Sequence, residues 1–141
     1  MKSIFFLAFF QTVLSLNILH LSDVHYDYSY SEGSPSNCIT EQYGLRCCRK
    51  YSVPKDPYHP AGKFGELTCD SPMALVNSTF SYISEHLKID LILLTGDLTD
   101  HHFFAQTEEN VLQEISDVTD LLLFYFPVIP VIPALGNHDS F

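Results

Sequence analysis

Three short apolar runs, each leading directly into a cluster of Asp, Asn and His, constrain this 141-residue chain more than any other feature. The runs are Asn17–Leu21, Leu91–Thr95 and Val131–Leu135. They end in Ser22-Asp23-Val24-His25, in Gly96-Asp97-Leu98-Thr99-Asp100, and in Gly136-Asn137-His138-Asp139. Continuous apolar runs of this length are the form of strands buried on both faces, and Leu91-Ile92-Leu93-Leu94 is the clearest case. Pro133 donates no ladder hydrogen bond and is awkward in a central strand, yet the run around it still reads as a strand.

Helical periodicity fills the gaps. Leu75, Val76, Phe80, Ile83 and Leu87 recur at helical spacing behind Asp70-Ser71-Pro72. This predicts a helix with Ser71 as N-cap and Pro72 at its first position, running to about Lys88. Val111, Leu112, Ile115, Val118 and Leu122 form a second stripe, opened by Thr107 as cap and by Glu108 and Glu109 in the first turn. The order strand, long loop, helix, strand, helix, strand implies right-handed crossovers and an α/β fold with a mostly parallel sheet. In such sheets ligands bind beyond the carboxyl ends of the strands, so the three polar clusters should meet in space. Each cluster alone is ordinary. Together they offer hard or borderline metal ligands on three strand ends, with a glycine placed to let backbone approach a metal closely.

The start of the chain reads as an export signal over residues 1–16. A basic Met1-Lys2 precedes the apolar Ile4–Phe10 stretch, and cleavage is expected after Ser15 or Leu16. The apolar stretch falls short of the ~20 residues of a spanning helix, so no transmembrane anchor is expected. Export makes Cys38, Cys47, Cys48 and Cys69 a disulfide framework rather than a zinc site. Vicinal Cys47–Cys48 closure is sterically disfavoured, which leaves two connectivities open. Asn77-Ser78-Thr79 is a glycosylation sequon. With 7 Lys+Arg against 17 Asp+Glu, the formal charge of −10 argues against nucleic-acid binding, which needs a clustered basic surface.

The strings LHLSDVHYD, TGDLTDHH and PALGNHDSF resemble the first three metal motifs of the calcineurin-like metallophosphoesterases. The Cys-Cys loop, AGKFGELTCDSP and the histidines after the second motif narrow the resemblance to the acid sphingomyelinase-like phosphodiesterases. It covers essentially residues 17–141 and implies the N-terminal half of that family's sandwich. It also implies the pairings Cys38–Cys47 and Cys48–Cys69.

Carried onto this sequence, the resemblance implies that Asp23 and His25 hold one metal, that Asn137 holds a second, and that Asp97 bridges them. Zinc is the implied ion, with manganese or iron compatible with the same donors. Paired ions of this kind sit ~3.5–4 Å apart and clamp the attacking and leaving oxygens. Two divalent ions, two carboxylates and a bridging hydroxide leave about one net positive charge for a phosphodiester anion. His138 would assist the leaving oxygen, Asp139 would orient the His138 ring, and His101, or its neighbour His102, would contact phosphate. His20, His59 and His86 read as structural or solvated. Tyr26 and Tyr28 read either as entrance or as packing.

The implied activity is hydrolysis of sphingomyelin or a related phosphodiester, outside the cell or in the lysosome. The rival readings are a nucleotide or small phosphate-ester hydrolase with the same site, and a non-catalytic secreted remnant. Family members draw three further histidine ligands from a later half, whereas this sequence stops two residues after Asp139. The expectation is therefore an N-terminal part that is inactive alone.

Overall fold

The computed structural model describes residues 15–39, 47–102 and 106–140. Most of the expected export signal lies outside the described residues. The elements are β1 (Ile18–Leu21), α1 (Met73–His86), β2 (Leu91–Leu94), α2 (Glu108–Tyr125) and β3 (Val131–Pro133). The strands form one parallel sheet in the order β1-β2-β3, with Leu19 beside Ile92 and Leu93 beside Ile132. Each crossover carries one helix, which is what the alternating pattern required.

Both helices pack on the same face. Val76, Phe80 and Ile83 of α1 meet Val118 and Leu122 of α2 over Ile92 and Leu94, and Tyr26, Leu98 and Phe126 close the cluster. Burying side chains of this size is worth roughly 1.5–3 kcal/mol each, so this one layer anchors the sheet. On the opposite face Ile18 and Ile132 are exposed and Leu93 is half-buried. The expectation that β2 is buried on both faces is thus met on one side only among the described residues.

Local departures have local causes. Helix α1 begins at Met73 with Pro72 as N-cap and no side-chain cap, one residue later than expected. Ser71 is drawn away: its N–H donates to the His25 carbonyl (2.8 Å) and its carbonyl accepts from the Asp27 N–H (3.0 Å). The helix ends at His86, and the Leu87 N–H closes onto the Ile83 carbonyl at 2.9 Å. In α2 the Thr107 hydroxyl accepts from the Asn110 N–H at 3.2 Å, as a cap should. Leu112, expected in the stripe, is 55% exposed, and Glu114 is buried in its stead. Pro133 sits at the end of β3, where Ala134 supplies the ladder donor to the Leu94 carbonyl at 2.7 Å.

The long β1–α1 connection has little regular structure and is closed by disulfides Cys38–Cys47 and Cys48–Cys69, the pairing the resemblance implied. Asn77 is exposed on α1, and its side-chain oxygen accepts from the Tyr125 hydroxyl at 3.0 Å. Among the described residues no helix is long and apolar enough to cross a membrane.

Candidate metal centre

The turns that leave β1 and β2 run side by side. The Asp23 N–H donates to the Gly96 carbonyl (3.1 Å), His25 N–H to Asp97 (3.0 Å) and Tyr26 N–H to Leu98 (2.8 Å). Three of these residues hold left-handed backbone without being glycine: Asp23 (φ 56°), His25 (φ 42°) and Asp97 (φ 54°). Such conformations are costly and persist where surroundings over-determine them, which is common at functional sites. Glycine serves a different purpose here than the sequence suggested. A methyl group on Gly96 would run into the backbone of Gly136, and one on Gly136 into the Asp97 carboxylate. The two glycines let the strand-end turns touch each other.

Asp23, His25 and Asp97 each place a ligand atom within 4.8 Å of the others, and so do His25, His101 and His138. His25 therefore belongs to both groups. Its Nδ1 lies 2.9 Å from the Thr99 carbonyl, which can only accept, so this nitrogen carries the proton. That leaves Nε2 as the free donor, 3.7 Å from an Asp23 oxygen. Ligating histidines are commonly fixed in this way through their second nitrogen. The donor set, two carboxylates and an imidazole, suits a divalent ion, and Asp23 keeps 63% of its side chain open to solvent. Asn137 precedes His138 on the β3 turn and is exposed.

The His101 ring stacks on His25 with centroids 3.8 Å apart, and His138 stands edge-on to both at 4.5 and 5.0 Å. His101 Nδ1 is 2.6 Å from Asp70, whose other oxygen accepts from the His101 N–H at 3.0 Å. His102 points elsewhere, with its Nδ1 2.7 Å from Arg49. Asp23, His25, Asp70 and His101 line one open cleft with Leu67, Thr68, Cys69 and Ser71.

Asp139 is buried, and its carboxylate accepts from the N–H groups of Asp97 and Gly136 (both 2.8 Å), Leu98 (2.8 Å) and Thr99 (3.3 Å). It organises the Asp97 turn. The Asp97 carboxylate in turn accepts from the His138 N–H at 2.8 Å. His20 bonds to the Thr95 hydroxyl (2.9 Å) and His86 to the Tyr82 carbonyl (2.8 Å), both structural partners. Tyr26 is buried in the core, with its hydroxyl on Asp117 at 3.2 Å, whereas Tyr28 is exposed.

Sequence reasoning passed over a second polar cluster beneath the site. Arg49, Asp27, Asp100 and Glu114 are held together there. Burial, reinforced by Asp100, pushes the Glu114 carboxyl up to about 8. The only signal in the sequence was a Glu at a core position of an amphipathic helix.

The turns after β1, β2 and β3 converge, and they bring together groups of Asp and His side chains that could hold a metal ion. The chain belongs to the calcineurin-like phosphoesterases, whose family model matches residues 16–141. It is 33% identical to sphingomyelin phosphodiesterase 2 of Caenorhabditis elegans, covering 89% of this chain and 23% of that protein. It is 37% identical to sphingomyelinase phosphodiesterase C of Dictyostelium discoideum, covering 86% and 26%. An endopolyphosphatase of Schizosaccharomyces pombe is 32% identical over 87% of this chain and 22% of that protein. The chain thus spans about a quarter of the length of these curated relatives.

Proposed function

We propose that this chain contributes the first half of the site of a secreted, zinc-dependent phosphodiesterase acting on sphingomyelin or a related phosphodiester. The observation that carries this reading is the approach of Asp23, His25 and Asp97 to within 4.8 Å at the carboxyl ends of parallel strands. These three, with Asn137, would hold two divalent ions, Asp97 serving both. When bound, the ions supply Lewis-acid charge for the phosphate oxygens and lower the pKa of the attacking water.

The chain's own residues do the rest. Thr99, through its carbonyl, fixes the tautomer of His25 and turns Nε2 toward Asp23. Asp139 holds the Asp97 turn in its left-handed form. Asp70 holds the His101 ring above His25, at the mouth of the cleft where phosphate would enter. His138 borders both rings and would donate toward the leaving oxygen. An export signal over residues 1–16, lysosomal or extracellular residence and a glycan on Asn77 complete the reading. All three fit the two disulfides, which persist in oxidising compartments.

A second reading keeps the site and changes the substrate to nucleotides or other small phosphate esters; the similarity to an endopolyphosphatase favours it. Comparing sphingomyelin, bis-nitrophenyl phosphate and a nucleotide as substrates of the full-length protein separates the two. Chelator-sensitive sphingomyelin turnover restored by zinc supports the first. Nucleotide turnover alone supports the second. No turnover of any substrate would leave a non-catalytic remnant.

A further inference from the structure

The cation beneath the site ties the two ligand-bearing turns to each other. Arg49 Nε donates to Asp27 at 2.8 Å, Nη2 donates to Asp100, and Nη1 donates to His102 Nδ1 at 2.7 Å. All three faces of the guanidinium fork are therefore engaged, and the side chain is only 13% exposed. Asp27 lies two residues after His25 on the β1 turn. Asp100 lies directly before His101 on the β2 turn, and its second oxygen accepts from the His102 N–H at 2.8 Å. Arg49 thus grips the side chains of the residues on both sides of His101 while reaching across to the turn that carries His25.

Arg49 belongs to neither turn. It comes from the long β1–α1 loop, next to Cys48, which is buried and bridged to Cys69. Asp70, which holds the His101 ring, follows Cys69 directly. One disulfide therefore delivers both grips on His101: Arg49 on the side chains of its two sequence neighbours and Asp70 on its imidazole. A stabilising role alone would not require an ion cluster. Buried ion pairs are weak contributors to stability, and apolar replacements of similar volume often serve as well. A planar fork that fixes three partners at once suits geometric definition instead.

We infer that Arg49 is a positioning residue for the phosphodiesterase site, setting the distance between the His25 turn and the His101 turn. The inference rests on the functional reading above, and its test has an arm that does not. In the full-length protein, Arg49→Lys keeps the charge beside Asp27 and Asp100 but loses the fork. It should melt close to wild type, yet lose tenfold or more in kcat with KM within about threefold, as expected when reacting groups shift by a fraction of an ångström. The visible absorption of bound Co(II), which reports ligand geometry without turnover, should change in the same variant. A combined Arg49→Met, Asp27→Asn, Asp100→Asn protein removes the buried charges together, so it should regain stability but not kcat. This combined variant decides alone should Arg49→Lys not fold. Wild-type kcat and an unchanged cobalt spectrum in Arg49→Lys would overturn the inference, as would recovery of both stability and kcat in the combined variant. A wild-type protein that turned over no phosphodiester would instead sink the functional reading, while the cobalt comparison would still judge Arg49.

Discussion

The Asp139 carboxylate accepts the backbone N–H of Asp97 at 2.8 Å across 42 residues of sequence, and so joins the β3 turn to the left-handed turn after β2. Its oxygens also take the N–H groups of Leu98, Thr99 and Gly136, leaving little of the carboxylate unused. Asp139→Asn replaces one acceptor oxygen with a donor that faces N–H groups. The expected result is a loss of about 10–100-fold in metal affinity, the usual cost of disturbing a ligand's support. Equilibrium dialysis against zinc checks this, and unchanged affinity would show that the Asp97 turn keeps its shape unaided.

Glu114 gives the fold a pH dependence. Its two backbone donors, Tyr28 at 3.4 Å and Asp100 at 3.2 Å, do not offset burial and the Asp100 charge, so the carboxyl titrates near 8 rather than 4.5. Between those values the folded chain keeps a proton that the unfolded chain has released, so stability falls as pH rises. This contribution is full below about pH 4.5 and gone above about pH 8. Urea midpoints at pH 5, 6.5 and 8 should decline for the wild type and decline less for Glu114→Gln. Parallel slopes would mean that Glu114 is ionised in the fold.

Asp70 holds His101 through both the ring and the N–H. Asp70→Asn should lower kcat by about 10–100-fold with a smaller effect on metal binding, because the histidine proposed to position phosphate loses its support while the Asp23, His25 and Asp97 side chains stay. Steady-state kinetics beside zinc titration measures both quantities. Equal losses in the two would move Asp70's role from His101 to the ion site.

The Cys48–Cys69 bridge closes a separation of 21 residues in a loop with little regular structure. Replacing both cysteines by serine should cost about 3 kcal/mol of stability on chain-entropy grounds. Activity should fall further than that loss explains at temperatures where the protein remains folded, because Arg49 and Asp70 flank the bridge. Thermal melts paired with kcat values taken well below the midpoint separate the two effects.

What was legible in the sequence followed from periodicity. The apolar stripes of α1 and α2, the Thr107 cap and the three strands were readable because burial imposes a 3.6-residue period on helices and unbroken apolar runs on inner strands. The meeting of Asp23, His25, Asp97 and His138 was readable because ligand-type residues clustered at strand ends, whereas His101 entered through the family resemblance. Contacts that long-range pairing decides were not readable. Ser71 gave up its capping role to pair beside His25 and Asp27, and no local pattern marks that choice. Arg49, Asp70 and Glu114 lie 14 to 86 residues from their partners on the two turns, and no local pattern names those partners. Asp139 sits within a ligand-type cluster, yet its hydrogen bonds run to backbone N–H groups of the other turn.

Asp97 is central to the account, since it alone would serve both ions while His101 would only help position phosphate. The most direct measurement is turnover of bis-nitrophenyl phosphate by the full-length protein at saturating zinc, for wild type, Asp97→Asn and His101→Ala. The account predicts that Asp97→Asn removes activity to background, while His101→Ala retains on the order of one part in a hundred, the scale of a single acid–base or positioning group. Comparable residual activities in the two variants would contradict it and show that Asp97 does not bridge the metals.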